Sequence, residues 1–139
     1  MNSFRPSRYI SNSDYATYKT LGIISDTLTI PNSVSVTSTD KTYSIDLRLP
    51  TTTGIGWRSI VTSSNAGFGI HTPSFLIPCK LSMSGASFDT FIYGEVFRNS
   101  PSTIRFQIVF TGISGGGTYS EMGGEYGVKL QPIISPFEP

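Results

Sequence analysis

The residues whose spacing best matches a catalytic motif are Gly112, Ile113, Ser114, Gly115 and Gly116, a G-x-S-x-G pattern. In a nucleophile elbow that pattern sits between a strand and a helix, and an acid and then a histidine follow later in the chain. Here a strand-like run precedes it, but Gly117 prolongs the glycine run where a helix should begin. The single histidine, His71, lies upstream. The expectation is a glycine-rich hairpin or loop rather than an esterase.

His71 and Cys79 are the raw material of a thiol nucleophile and its base, yet Cys79 sits in the apolar run Leu76, Ile77, Pro78, Cys79, Lys80, Leu81. A buried cysteine of this kind is usually inert packing. One imidazole without a cysteine or carboxylate cluster makes a poor zinc site, so no metal and no cofactor is expected. A glycosidase needs two carboxyl groups flanking the scissile bond, and Glu95, Glu121 and Glu125 are the glutamates outside the tail. Glu95 shares a strand face with Phe91, Tyr93 and Phe97, so it is expected to point toward the core and to pair there with Arg105. An ion pair, not catalysis, is the expected use, because an unpaired buried charge is costly.

Recognition has better material than catalysis. The segment from Gly112 to Gly127 holds seven glycines among Tyr119, Glu121, Met122, Glu125 and Tyr126, a composition that adapts its shape when a rigid sheet displays it. Trp57, Tyr119, Glu121 and Tyr126 are therefore the candidate contact surface. The alternative is that Trp57 is core and the segment merely joins two strands.

Composition bounds the partners. Charged residues make up 14% of the 139 residues and the formal net charge is +1. Ten scattered Lys and Arg do not make the concentrated basic face that nucleic acid requires. Serine and threonine fill the surface instead, and near-zero net charge favours association. One cysteine forbids an internal disulfide. Met1 to Ile10 lacks the apolar run of a secretory signal, and no stretch approaches the roughly 18 apolar residues of a membrane helix. Neither secretion by a signal peptide nor membrane insertion is expected.

The elements that would position these residues are strands. Ile104, Phe106, Ile108 and Phe110 alternate with Arg105, Gln107, Val109 and Thr111 at the period of two of a half-buried strand. Thr90 to Arg98 precedes it across Asn99, Ser100, Pro101 and Ser102, which is hairpin turn chemistry. Ile45, Leu47 and Leu49 alternate before Pro50. Leu28 and Ile30 lead through Pro31 and Asn32 to Val34 and Val36, which are expected to pair with that strand or with each other. Ser38 to Lys41 makes the next turn, with Asp40 bonding its own backbone. Trp57 to Thr62, Gly67 to Thr72, Phe75 to Met83 and Tyr126 to Ile134 complete eight to ten short strands. The one candidate helical turn is Asp14 to Tyr18.

This pattern predicts an all-β fold, a single antiparallel β-sandwich or jelly-roll-like domain. Residues 1–18 form an N-terminal arm, 19–130 the sandwich and 131–139 a C-terminal arm with three prolines. Both arms are expected to be held by neighbouring subunits.

The opening Arg8, Tyr9, Ile10, Ser11, Asn12, Ser13, Asp14, Tyr15, Ala16, Thr17, followed by Leu28, Thr29, Ile30, Pro31, resembles the openings of small structural proteins of tailed phages and prophages. The resemblance covers about the first third of the chain and lies in its general character, hydroxyl-rich, glycine-rich and low in charge, more than in a defining motif. It implies a virion component of the tail, tail-tip or capsid-decoration type, assembled in the host cytoplasm. Its expected partners are other copies of itself and other virion proteins, through β-edge and arm contacts. A receptor- or carbohydrate-binding head, with a host surface glycan or receptor as partner, is the alternative function.

Overall fold

A computed structural model describes residues 23–50, 56–63, 74–133 and the backbone of 69–70. The expected helical turn at Asp14 to Tyr18, the N-terminal arm and His71 lie outside the described residues. Within them there are ten strands and no helix. Accordingly, no described helix is long and apolar enough to cross a membrane.

The strands are β1 (Ile24–Ile30), β2 (Ser33–Val36), β3 (Lys41–Arg48), β4 (Trp57–Ser63), β5 (Gly69–Ile70), β6 (Ser74–Met83), β7 (Ala86–Ser100), β8 (Thr103–Phe110), β9 (Gly117–Ser120) and β10 (Gly124–Pro132). They form two antiparallel sheets, β1-β10-β4-β5 and β2-β9-β6-β7-β8-β3. The all-β antiparallel expectation is met in a nearly closed, barrel-like sandwich. β10 runs to Pro132, and the Ile133 amide donates to the Gly56 carbonyl at 2.8 Å. The sheet therefore extends past residue 130, into the stretch expected to be an arm.

Two bent strands join the sheets. β1 turns at Pro31 and Asn32 into β2, and β9 turns at Glu121 to Gly123 into β10, so that β1 pairs with β10 and β2 with β9. Three residues on one strand face two on the other, which makes this corner a β-bulge, and Glu121 takes the extra kink at φ 68°. Gly123 is required here because a β-carbon would collide with Asn32. β2 thus pairs with β9, not with β3 as expected. β2 and β3 are instead the two edges of the six-stranded sheet, and the short loop between them curls that sheet round. The loop docks on the end of β8: Ile113 N donates to Thr37 O at 2.7 Å, and Gly112 N to the Asp40 carboxylate at 2.7 Å. Asp40 bonds that distant amide and not its own turn.

The barrel closes where β1 lies beside β3, their Cα atoms approaching within 8 Å without a hydrogen-bonded ladder. A further strand between them would need about 9.6 Å, twice the usual strand spacing.

The core is one continuous cluster. Ile104, Phe106, Ile108 and Phe110 of β8 all point inward, the last three fully buried, as their alternation predicts. They meet Val61, Tyr126, Val128 and Leu130 from the smaller sheet. Phe110 packs edge-on against Tyr43 and Tyr119.

β7 has the opposite phase from the one expected. Ile92, Gly94 and Val96 face the core, while Phe91 and Tyr93 are 58% and 40% exposed. Gly94 points inward because the ring of Phe75, its partner on β6, occupies the space a β-carbon would take. The core beneath β7 is thus filled from β6.

Candidate interaction face

The outer face of the six-stranded sheet is built mainly by β6, β7 and β8. Register sets Leu76, Tyr93 and Val109 in one row and Pro78 beside Phe91 in the next. Leu76 is 59% exposed, so with Phe91 and Tyr93 it makes an apolar strip in contact with solvent. Contiguous exposed apolar surface of this kind marks an interaction site more often than scattered single residues do.

Polar groups rim the strip, and they satisfy one another. Tyr93 donates its hydroxyl to one Glu95 oxygen at 3.0 Å, and Gln107 Nε2 donates to the other at 2.6 Å. The bond to Glu95 raises the Tyr93 pKa, because a phenolate there would face the carboxylate. Lys80 and Asp89 pair across β6 and β7 at 2.8 Å, which holds the ammonium charged by hydrogen bonding and charge together. Arg105 forks onto Asp46 at 2.8 and 3.2 Å, and the guanidinium pulls that carboxyl below its usual range. Lys80, Arg105 and Arg48 are set against Asp89, Glu95 and Asp46, with Glu121 within reach of Lys80, so charges of both signs are interspersed on this face.

This geometry corrects the reading of Glu95. It lies on the outer face, is half-buried, and takes Tyr93 and Gln107 as partners; Arg105 belongs to Asp46. The error follows from the inverted phase of β7.

The four residues chosen as a contact surface are scattered. Tyr119 and Tyr126 are 3% and 1% exposed, so both are core residues and neither is a contact. Their hydroxyls reach backbone carbonyls, Tyr119 that of Thr111 at 2.8 Å and Tyr126 that of Met122 at 2.6 Å. Burial raises both phenol pKa values. Glu121 is exposed at the β9–β10 corner, near enough to Lys80 for its charge to favour the ammonium. Trp57 is half-buried at the start of β4. It lines a recess of about 220 Å³ with Ser59, Val96, Phe97, Arg98, Ile104 and Leu130. The glycine-rich segment itself is a turn, β9, a corner and β10 rather than one adaptable loop.

Ser114 lies in that turn. The Gly116 amide donates to Ile113 O at 2.8 Å, Gly115 and Gly116 have φ 85° and 88°, and β9 follows where an elbow has its helix. Gly112 lies against the backbone of Ser38 and Thr39, where a β-carbon would not fit. The motif is explained by chain packing. Cys79 points into the core, and burial pushes its thiol up to about 11. Among the described residues no group of three or more His, Cys, Asp and Glu is placed to hold a metal ion.

Sequence reasoning missed Leu76 as a surface residue and misplaced Phe91 and Tyr93. The signal was present: β7 carries Phe91, Tyr93 and Phe97 in one phase and Phe88, Ile92 and Val96 in the other, more apolar side chains than one core face can take. Comparison with protein-family models, characterised proteins and solved structures finds no match for this chain.

Proposed function

We propose that this chain is a non-catalytic structural subunit of a larger symmetric protein assembly, of the tail or tail-tip type that its opening residues resemble. The observation that carries the reading is the outer strip of Leu76, Phe91 and Tyr93, 40–59% exposed on a face of interspersed charges of both signs. Such a face offers little to nucleic acid or to a charged membrane surface, since both reward a concentrated basic patch. It suits another surface of the same low charge, and identical contacts that close on themselves give a ring. The β1 and β3 edges lie within 8 Å of each other, and among the described residues β5 comprises only Gly69–Ile70. This shifts the expected contact from those edges to the sheet face.

Replacing Leu76 and Phe91 together by serine tests the reading. Both side chains are more than half exposed, so the fold should persist, while a concentration-dependent oligomer of the parent chain should lose mass. Unchanged self-association in the double variant would count against the strip as the contact.

The recess beside Trp57 favours a second reading, a glycan-binding module. Trp57 offers a ring for stacking, and Arg98, whose Nη1 is bonded to Pro101 O at 3.0 Å, offers further donors. Retention of the chain on an immobilised glycan panel, lost in Trp57→Ala, would support it; no retention of the parent chain on any glycan would remove it.

A further inference from the structure

β6 and β7 form a hairpin that is longer than its support. β6 pairs with β7 from Ser74–Glu95 to Met83–Ala86, whereas β8 pairs with β7 only from Tyr93 onward. Ala86 to Ile92 therefore has a strand on one side and, among the described residues, none on the other.

The hairpin turn fixes which backbone groups are left over. Ser84 and Gly85 both have positive φ, 51° and 75°, which is the two-residue type I′ turn. In such a turn Met83 and Ala86 exchange hydrogen bonds. By alternation Ala86, Phe88, Thr90 and Ile92 turn their N–H and C=O toward β6. Ser87, Asp89 and Phe91 turn theirs away. Pro78 agrees with this phase: it faces Phe91, a position where β6 sends no N–H to β7. The β7–β8 ladder begins at Tyr93 in the same phase.

Exposed edges are ordinarily blunted by lysine, proline or a bulge. Ala86 to Ile92 (Ala, Ser, Phe, Asp, Thr, Phe, Ile) has none of these. Its one charge, Asp89, is neutralised by Lys80 at 2.8 Å. Phe88 is 50% exposed, although Leu81, its partner across the β6–β7 ladder, is buried.

We propose that this edge pairs antiparallel with the same edge of a second copy, with Phe88 opposite Phe88 across a two-fold axis. The proposal rests on the reading of the chain as an assembly subunit and names one contact by which it assembles. A two-fold axis makes the interface isologous. Centring it on Asp89 would set two carboxylates face to face, whereas centring it on Phe88 sets each Asp89 opposite Ser87 of the other copy. The outward N–H and C=O groups of those residues then bond across the axis. The two Phe88 side chains meet as an aromatic cross-strand pair at a non-hydrogen-bonded site, where Cα atoms stand about 4.5 Å apart. The apolar strips of the two copies then flank one continuous sheet.

The test is a disulfide trap on the full chain. Phe88→Cys should form a covalent dimer under mild oxidation, since Cα atoms about 4.5 Å apart fall within disulfide reach. Ala86→Cys should not, because in this register Ala86 faces Thr90 and the two Ala86 positions stand about 14 Å apart, while Met83, not Cys79, is its partner on β6. The native Cys79 is buried and is present in both variants as a common background. Phe88→Lys, with two ammonium groups opposed, should weaken self-association at least tenfold while leaving the circular dichroism spectrum unchanged. If the parent chain self-associates but Phe88→Cys cross-links no better than Ala86→Cys, or Phe88→Lys associates normally, the β7 contact is wrong and the assembly reading stands. A parent chain that is monomeric at every concentration overturns both.

Discussion

A β-carbon on Gly94 would lie 2.5 Å from Cε2 of Phe75. The glycine is thus a receptor for the phenyl ring, and the ring in turn closes the core beneath β7 against Phe106, its centroid 6.2 Å away. Gly94→Ala should destabilise the fold by about 1–3 kcal/mol through overpacking, read as a lower urea midpoint at unchanged slope. Trimming the ring in Gly94→Ala/Phe75→Leu should cost less than the sum of the two single changes. Strict additivity would mean that the residues do not compete for the same space.

The tyrosines at 119 and 126 hold the barrel from within. Tyr126→Phe keeps the ring but leaves the buried Met122 carbonyl without its donor at 2.6 Å, and should destabilise by about 1–3 kcal/mol. Self-association at concentrations where the variant is folded should be unaltered, since the residue is core. A loss of association without a loss of stability would return Tyr126 to the surface.

Burial makes the Cys79 thiol hard to ionise, at about 11 against an ordinary 9.0. The unfolded chain loses that proton first, so the stability held by the neutral thiol is complete below pH 9 and declines as pH rises toward 11. Cys79→Ala should flatten this alkaline decline. Native protein at pH 8 should resist a thiol reagent that labels it at once in urea; equal labelling rates in both states would contradict the burial.

Asp46 responds to pH in the opposite sense. Arg105 holds its carboxyl below the ordinary 3.8, so the folded state favours the carboxylate. The stabilisation is present above pH 3.8 and fades as pH falls through the lower folded value. Both groups are solvent-exposed and the contribution is small. Arg105→Gln should move the Asp46 titration midpoint, followed by carboxyl NMR shifts, back toward the ordinary value. No movement would mean that the bridge does not persist in solution.

Strand type and location were legible in the sequence wherever a single face was apolar. β8 shows this best: isoleucine and phenylalanine alternate with arginine and glutamine, which allows only one phase. β7 was not legible because both of its faces are apolar and its inward set is interrupted by Gly94, whose space is filled by Phe75 from another strand. The pairing of β2 with β9 joins residues more than eighty positions apart, beyond any local signal. Tyr119 and Tyr126 were misread because glycines surround them, and glycine in this chain marks close backbone approach at Gly112 and Gly123 as often as it marks a surface loop. The apolar strip is where local pattern and tertiary need disagree, and such disagreement is common at functional surfaces.

The central claim is that this face joins the subunit to identical neighbours. The most direct measurement is the molar mass of the full chain by light scattering over a hundredfold range of concentration, beside the Leu76→Ser/Phe91→Ser variant. The account predicts a defined oligomer of the 15.1 kDa chain, and a lower molar mass for the variant at the same concentrations. A parent chain of 15.1 kDa throughout that range would contradict it.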